Sequence, residues 1–506
     1  MIGEKNTLRL FDSMERELRD FTPLEEGRVK MYSCGPTVYN YAHIGNLRAY
    51  IFVDSLRRVL QWKGYDVVHV MNITDVGHLT DDADEGDDKM EMAAAREKKT
   101  IWDIAAYYTD HFKADLESLN IQPPSVWSTA TDHIMEMIDW ARIIQENGYA
   151  YELEDGLYFD TGKLPEYGKL GRLDLEGMEA GARVDMVEGK RNLSDFAIWR
   201  KSPDDAQRLM EWDSPWGKGA PGWHLECSCM SHKYLGMDFD IHTGGVDHRT
   251  VHHCNEIAQN QAYLGNEKKT GARWWMHNEF LTLGEDAKMS KSTGDFLRLK
   301  TILDQGVHPL AYRFFALQAG YRKQLRFSID SCLASARGLQ RFLKYVKGLI
   351  AEVSDSELRW VAEMKFSRGA SFKGTRQMVE ARLGDSAKDW LNKFDESISD
   401  DLDIAAGLAM TLNISDLDAP ASDKVNLIAL VDLVLGLRLL ETEPNDIVVV
   451  DEDKIGADEI EALIEERKQA RLNKDYGRSD EIRDDLANRG VRIMDGPEGT
   501  TWEYTL

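Results

Sequence analysis

The sequence predicts an α/β fold built on a parallel sheet, and three consecutive segments near its start carry this prediction. Residues 28–33 (RVKMYS) are typical of a strand, which ends at the Gly35-Pro36 break. The segment NLRAYIFVDSLRRVLQWKGY has apolar residues at helical spacing and stops at Gly64. Residues 66–74 (DVVHVMNIT) are rich in β-branched residues and predict a second strand. This βαβ order implies parallel strands that bind ligands at their carboxyl ends.

Changes in composition and in the pattern of apolar residues divide the rest of the chain into further parts. Short strand-like pieces separated by glycine, proline and charged residues predict an insertion. After it, sheet strands are expected at 238–245 and 273–283, with a helix over 251–264 between them. Residues 441–459 are expected to be a linker, followed by a helix pair and a hairpin. The predicted domains are the first half of the sheet domain (1–149), the insertion (150–215), the second half (216–305), a helical domain (306–445) and a small C-terminal domain (446–506).

Composition excludes several classes of protein. A chain of 506 residues exceeds a single core, and 42% hydrophobic with 30% charged residues is typical of a soluble globular protein. No apolar run reaches the roughly 18 residues that span a bilayer, and the charged N-terminus lacks a secretory h-region. Five cysteines, an odd number, favour a reducing compartment, so we expect a cytoplasmic protein. The net charge of −26 argues against a sequence-blind nucleic-acid coat but leaves room for a local basic face.

Two short stretches have the chemistry of phosphate binding. In YAHIGN, His43 and a glycine stand where a strand gives way to a helix, whose N-terminus favours a phosphate. In GEDAKMSKSTGD, Lys288 and Lys291 stand among small hydroxyl and glycine residues, which suits a polyphosphate. The alternatives are a structural histidine and an ordinary solvated loop, although the string KMSKS is far rarer than a lysine pair.

The cysteines and histidines allow a metal site. His252 and Glu256 are four residues apart and share one helix face, so both side chains can reach one cation. Cys34, after the first strand, and Cys227 could complete a set of two thiolates, an imidazole and a carboxylate, which suits zinc. His253 is expected to point about 100° away from His252. Because no CxxC pair is present, buried thiols beside a core histidine remain an equal alternative on spacing alone.

Taken together, these stretches resemble the HIGH and KMSKS motifs of class I aminoacyl-tRNA synthetases. The wider set CGPTVYNYAHIGN, NITDVG, SPWGKGAPGWHLECS, FDIHTGGVDHRTVHH, KMSKS and RGVRIMDGPEGTTW resembles the cysteinyl-tRNA synthetase family nearly end to end. The chain departs from that family at Asn46, in place of the final histidine, at Cys229, at Cys254, where an acid is often found, and at Tyr476, where a tryptophan is often found.

The resemblance implies a Rossmann-like (HUP-type) catalytic domain with an inserted connective subdomain, then a stem-contact and helical-bundle domain and an α+β anticodon-binding domain. It implies ATP-dependent activation of L-cysteine to cysteinyl-adenylate and transfer to the terminal ribose of tRNA(Cys), by a monomer carrying one Zn²⁺, with Mg²⁺ accompanying ATP. Zinc would bind the substrate thiolate and so exclude serine. The implied site residues are His43, Lys288 and Lys291 for catalysis; these three with Asn46, Gly244, Gly245 and Asp247 for ATP; Thr37, Thr74 and Trp223 for cysteine; Cys34, Cys227, His252 and Glu256 for zinc; and Tyr476 and Arg478 for the anticodon.

The C-terminal segment carries the local basic charge that the rest of the chain lacks. Residues 467–492 contain eight Lys or Arg and five acids, a balance of +3, with Tyr476 among them. Aromatic rings in a basic patch suit unstacked bases, and an ordinary charged helix pair is the alternative on composition.

Three rival functions remain open at this point. A ligase that joins cysteine to an amino-sugar resembles the catalytic half but lacks the C-terminal domain. A nucleotidyltransferase of the same superfamily is short and lacks both the thiol set and the tail. A tRNA-binding regulator with an inactive synthetase domain is disfavoured by intact His43, Lys288 and Lys291 and by all four metal-ligand positions.

Overall fold

The computed structural model describes residues 6–76, 89–97, 99–173, 189–203, 209–284, 297–366, 372–448, 457–473, 475–489, 491–496 and 499–504. Its strands, numbered along the chain, are β1 (Arg9–Asp12), β2 (Glu17–Asp20), β3 (Arg28–Ser33), β4 (Asp66–Ile73), β5 (Val126–Thr129), β6 (Ala150–Leu153), β7 (Gly156–Phe159), β8 (Phe196–Lys201), β9 (Gly219–Pro221), β10 (Phe239–Gly245), β11 (Ala272–Asn278), β12 (Leu281–Leu283), β13 (Leu325–Phe327), β14 (Val491–Gly496) and β15 (Gly499–Tyr504).

The helices alternate with these strands in the first half of the chain and dominate the second. They are α1 (Ile44–Trp62), α2 (Lys89–Glu97), α3 (Ile101–Ser118), α4 (Ile134–Glu146), α5 (Trp223–Leu235), α6 (His252–Leu264), α7 (Leu299–Leu303), α8 (Pro309–Leu317), α9 (Ile329–Glu352), α10 (Asp355–Phe366), α11 (Phe372–Glu380), α12 (Asp385–Ser399), α13 (Ile404–Leu412), α14 (Ala421–Leu435), α15 (Pro444–Ile447), α16 (Ala457–Leu472) and α17 (Tyr476–Asn488). No helix in the described part of the chain is long and apolar enough to cross a membrane.

A five-stranded parallel sheet in the order β11-β10-β3-β4-β5 forms the centre of the molecule. The predicted βαβ unit is confirmed as β3, α1 and β4. In α1, Leu47, Leu56 and Leu60 are buried because apolar residues recur at helical spacing. The strand order reverses between β3 and β10, so this switch point is where an open α/β sheet forms its ligand crevice.

The insertion is a four-stranded antiparallel sheet in the order β6-β7-β8-β9. It leaves the central sheet after β5 and returns through α5 to β10. Its core contains the fully buried Tyr158 and Trp199, which explains the aromatic residues in strand-like pieces of sequence. The tail forms the expected helix pair, α16 and α17, and the hairpin β14-β15.

Two sequence-based expectations differ from the structure. The single strand expected over 273–283 is two strands, because the chain leaves the sheet at Glu279, whose N–H donates to Tyr321 O, and β12 then pairs with β13. The start of the expected linker is packed rather than free: Ile447 is buried, and its carbonyl accepts from His308 N at 3.0 Å. The apolar residues at the end of α15 pack against the helical domain, so this part of the chain does not act as a free linker.

A buried ion pair connects the sheet domain with the helical domain. Asp54 on α1 accepts hydrogen bonds from Arg58 Nε (2.7 Å) and Arg313 Nη2 (2.6 Å), and the Asp54 and Arg313 side chains have no exposed surface. Arg313, on α8, also donates to Leu435 O at the end of α14. Burial disfavours a charged Asp54, but the two arginines outweigh it and lower its pKa.

We expect Asp54→Asn to lower the free energy of unfolding by about 3–5 kcal/mol, because it leaves the Arg313 charge buried without its counter-charge. Urea unfolding followed by tryptophan fluorescence measures this change. The control is Asp66→Asn, which removes the exposed partner of Arg28 and is expected to cost less than about 1 kcal/mol. Equal losses in the two variants would contradict the role of the buried pair.

Candidate active site

A cleft of about 490 Å³ opens at the carboxyl ends of β3 and β10. Eight of the residues predicted for the site line it; seven lie at or after the carboxyl ends of these two strands or at the start of α1, and Trp223 begins α5. The eight are Cys34, Thr37, His43, Asn46, Trp223, Gly244, Gly245 and Asp247. Lys288 and Lys291 lie outside the described residues, so their place relative to this cleft remains a prediction.

The four predicted metal ligands meet behind the cleft wall. One ligand atom from each of Cys34, Cys227, His252 and Glu256 lies within 4.8 Å of the others. The donors come from three places: the end of β3, α5, and one turn of α6. All except Cys34 are buried, and Cys34 also lines the cleft, so the cluster opens to the cleft through this cysteine.

The charges of this cluster are coupled through short contacts. Burial raises the pKa of Cys34 far above its usual range, and its thiol donates to Cys227. Burial also opposes charge on Cys227, but that hydrogen bond and the neighbouring His252 lower the pKa of Cys227 to about 6. Burial likewise opposes charge on His252, yet Cys227 and Glu256 raise its pKa to about 10. The cluster therefore holds anionic donors and one proton on His252. A metal cation that bound to these donors would displace this proton.

One buried atom indicates directly that the residues fit a metal. Glu256 Oε1 has no hydrogen-bond partner, although it lies 3.1 Å from His252 Nε2. The other oxygen, Oε2, accepts from His242 Nε2 at 2.9 Å. A buried carboxylate oxygen left without a hydrogen bond is costly, and a cation would satisfy it. Two sulfurs, a nitrogen and an oxygen at these positions fit zinc.

Sequence reasoning missed a layer of further histidines around the ligands. His253, expected to point away, has its Nε2 3.4 Å from Cys34 Sγ, and its Nδ1 lies 2.8 Å from His277 Nε2. His224 Nδ1 lies 2.9 Å from His252 Nδ1. Such outer partners fix the orientation of ligand rings. The adjacent histidines in VHH were a signal for this layer, but helix spacing could not show that β3 brings Cys34 to the second one.

The YAHIGN turn starts α1 with a reciprocal cap. His43 Nδ1 accepts from Asn46 N (3.1 Å), and Asn46 Oδ1 accepts from His43 N (3.2 Å). A Cβ at Gly45 would lie 2.9 Å from the His43 ring, so only glycine leaves this ring in place. Because Nδ1 is an acceptor, the neutral ring of His43 carries its proton on Nε2.

Of the residues predicted to line the cysteine pocket, Trp223 contacts the candidate metal cluster directly. The Trp223 ring packs against the His252 ring at a centroid distance of 4.3 Å. Thr37 and Thr74 pair through their backbones, and Thr74 Oγ1 donates to Glu226 Oε2 at 2.8 Å. Thr74 is buried, so its hydroxyl serves to hold Glu226 behind the pocket wall.

The predicted adenosine residues lie at the end of β10 and in the loop after it. A Cβ at Gly244 would lie 2.7 Å from the His253 ring, and one at Gly245 would lie 2.2 Å from Asp247 Oδ1. Glycine is therefore required at Gly244, where the His253 ring is fully buried, whereas the exposed Asp247 carboxylate beside Gly245 is free to move. Burial acts to raise the pKa of Asp247, but the adjacent His248 lowers it to about 2, so the carboxylate is ionised.

The two predicted anticodon residues begin α17. Tyr476 is 63% exposed, which leaves its ring available to stack on a base. Arg478 Nη2 contacts Glu466 and its Nη1 contacts Glu481, each at 3.0 Å. A base or phosphate that used Arg478 would have to compete with these two glutamates.

Comparison with known proteins identifies the relatives of this chain. A family profile described as the tRNA synthetases class I (C) catalytic domain matches residues 20–337, and one described as the cysteinyl-tRNA ligase anticodon binding domain matches residues 456–502. The cysteine–tRNA ligase of Zymomonas mobilis subsp. mobilis is 49% identical over 97% of both chains. That of Novosphingobium aromaticivorans is 48% identical over 99% of this chain and 97% of its own.

Solved structures show the same fold. The methionyl-tRNA synthetase of Mycobacterium tuberculosis in complex with methionyl-adenylate superposes with a TM-score of 0.51 at 15% identity, covering 83% of this chain and 91% of its own. At this identity the likeness concerns the fold alone, and it places the parallel sheet among class I synthetases.

We expect Cys227→Ser to lower the zinc content of the purified protein. Loss of a thiolate ligand should weaken metal affinity by more than the roughly 10–100-fold that loss of an outer partner costs. Metal analysis by mass spectrometry after dialysis measures retention. The matched control is Cys229→Ser on the same helix, since Cys229 is not one of the described residues whose donor atoms meet at the candidate metal site. Full zinc content in Cys227→Ser would refute the ligand assignment.

Proposed function

Because the chain belongs to the cysteinyl-tRNA synthetase family, we propose that it activates L-cysteine with ATP and then transfers the cysteinyl group to the terminal ribose of tRNA(Cys). Membership makes it an enzyme, an aminoacyl-tRNA synthetase that joins cysteine to tRNA(Cys). The observation that carries the proposed chemistry is the position of Cys34. It belongs to the thiol-containing cluster, and it also lines the cleft into which the start of α1 opens.

In the first step, a carboxylate oxygen of cysteine attacks the α-phosphorus of ATP, and the bond to pyrophosphate breaks. The proton on His43 Nε2 is the donor for a phosphate oxygen, since Nδ1 is held by Asn46 N. Lys288 and Lys291 would neutralise the departing pyrophosphate, with Mg²⁺ accompanying ATP. Gly244 and Gly245 allow adenosine to approach β10. In the second step, a hydroxyl of the terminal ribose attacks the carbonyl carbon of the adenylate, and AMP leaves.

Selection of cysteine would rest on the metal cluster. Cys34, Cys227, His252 and Glu256 would hold one Zn²⁺, which supplies an electrophile that favours a substrate thiolate over the hydroxyl of serine. Discrimination by fit alone is weak, about 1–3 kcal/mol for a methylene-sized difference. Thr37, Thr74 and Trp223 would shape the pocket, since Trp223 packs on His252 and Thr74 is fixed by Glu226.

The C-terminal domain would bind the anticodon through the exposed ring of Tyr476. Its match to an anticodon-binding family argues against the amino-sugar ligase, which has no such domain. We further propose that the enzyme works as a monomer in the cytoplasm. All five cysteines are free thiols, including the close pair Cys34 and Cys227, which accords with a reducing compartment.

Amino-acid-dependent pyrophosphate exchange tests the activation step. Each of the twenty amino acids is assayed with ATP, with and without a zinc chelator. We expect cysteine alone to support exchange, because only its side chain offers a thiol, and chelation to reduce the rate more than tenfold. An exchange rate with serine equal to that with cysteine would contradict the role of the metal. So would an unchanged exchange rate with cysteine after the chelator has been shown to remove the zinc.

Removal of residues 450–506 tests the tail. Exchange with cysteine should persist because the cleft and cluster lie before residue 300. The kcat/KM for charging of tRNA(Cys) should fall more than tenfold. The truncation removes the Tyr476 ring, and base stacking on an aromatic ring contributes about 1–3 kcal/mol per base. The point variant Tyr476→Ala should show part of this loss, with Tyr476→Trp as the matched control that keeps the stacking surface. Unchanged charging by the truncated chain would exclude an anticodon role.

A further inference from the structure

Three arginines that the activation chemistry does not use converge beside the cleft. Arg16 lies in the turn between β1 and β2, Arg172 in a turn of the insertion, and Arg249 in the loop after β10. Arg16 Nη2 donates to Leu170 O at 3.1 Å, so its guanidinium reaches the insertion turn. A Cβ on Gly171 would lie 3.3 Å from Arg249 O, so the same turn rests on the β10 loop. Three distant segments thus bring three positive charges together.

These arginines have no acidic partner among the residues that the structure describes. None of the three forms an ion pair there, and Arg249 Nε is buried without a hydrogen-bond partner. Burial lowers the pKa of Arg16, and the charges of Arg172 and Arg249 lower it further. Acids outnumber basic residues by 88 to 62 in this chain, so an unpaired cluster of arginines is a local exception. An anion would remove the mutual repulsion and satisfy the guanidinium donors.

The cluster lies at the same edge of the sheet as the cleft. Arg249 directly follows Asp247 and His248, which both line the cleft after β10. Its charge reaches His277 at the end of the neighbouring strand β11: burial lowers the pKa of His277 strongly, and Arg249 lowers it further. The His43 turn, where ATP phosphates are expected, follows β3 instead. Arg249 is therefore placed beside the cleft on the β10–β11 side, and the insertion turn connects Arg16 and Arg172 to it.

We propose that Arg16, Arg172 and Arg249 bind backbone phosphates of the unpaired 3′ nucleotides of tRNA as the terminal ribose enters the cleft. This inference rests on the proposed function, since it needs a tRNA whose end reaches the adenylate. Guanidinium groups match phosphate geometry with paired donors, and such contacts fix the position of a strand without reading its sequence. Arg172 is exposed, while Arg16 and Arg249 are partly covered, so the site is a shallow rim open to a strand.

Charging and exchange assays on the full-length protein test the assignment. In Arg172→Gln and Arg249→Gln, the KM for tRNA(Cys) should rise about tenfold, since each variant loses charge-assisted hydrogen bonds to a phosphate, which partial exposure to solvent weakens. The slope of log(kcat/KM) against log salt should also fall by about one per lost phosphate contact. Arg172→Lys should retain the salt slope because it keeps the charge.

The matched control is Arg28→Gln, which removes an exposed arginine at the amino end of β3, the opposite edge of the sheet. A KM for tRNA and a salt slope equal to those of this control would overturn the inference. A rise in the KM for ATP during exchange, with tRNA binding unchanged, would overturn it too, because the phosphates bound would be those of ATP. Failure of the unmodified protein in cysteine-dependent exchange would instead refute the proposed function, so the two failures are distinguishable.

Discussion

The parallel pairing of β3 with β10 is the constraint on which the active site depends. It joins two halves of the sheet that are about two hundred residues apart in sequence, and Ser33 lies beside Thr243 at the carboxyl end. The ladder continues one step further, where Cys34 N donates to Thr243 O at 3.2 Å. That hydrogen bond sets Cys34 next to Gly244, so the thiol proposed as a metal ligand and the glycines proposed to adjoin adenosine share one edge of the sheet. A slip in this register would turn Cys34 to the other face and dismantle both sites.

Opposite charges and hydrogen bonds within the cluster explain why buried charges are tolerated behind the cleft. Burial opposes charge on both Cys227 and Glu256, but the hydrogen bond from Cys34 and the neighbouring His252 lower the pKa of Cys227 to about 6, and His242 and His252 lower the pKa of Glu256 to about 2. His252 holds the compensating proton, since these anions raise its pKa to about 10. A cation of higher charge satisfies the anions better than one proton does, and its binding would release that proton. The cluster is thus organised around a charge that the polypeptide alone does not supply.

Sequence patterns predicted the βαβ unit and the ligand pair His252 and Glu256, because both depend on spacing within one element. What they could not predict depends on elements that meet only in the fold. His253 was expected to point away from the ligands, yet it contacts Cys34, because β3 delivers the sulfur to the second helix face. The pairing of β12 with β13 and the arginine cluster were missed for the same reason: their members come from separate segments whose approach no local periodicity reveals.

The start of α1 shows how the departure from the HIGH motif is accommodated. The Asn46 side-chain oxygen accepts from the His43 backbone N–H, and the backbone N–H of Asn46 donates to His43 Nδ1, so Asn46 closes the capping box and fixes the His43 ring. Next to this cap, Ile44 N donates to Leu297 O, and His43 pairs with Arg298 as an antiparallel bridge. The guanidinium of Arg298 lies 4.1 Å from the centre of the Tyr41 ring and strengthens this junction. The backbone at Leu297 and Arg298 is therefore fixed to the histidine turn by hydrogen bonds that do not involve Asn46.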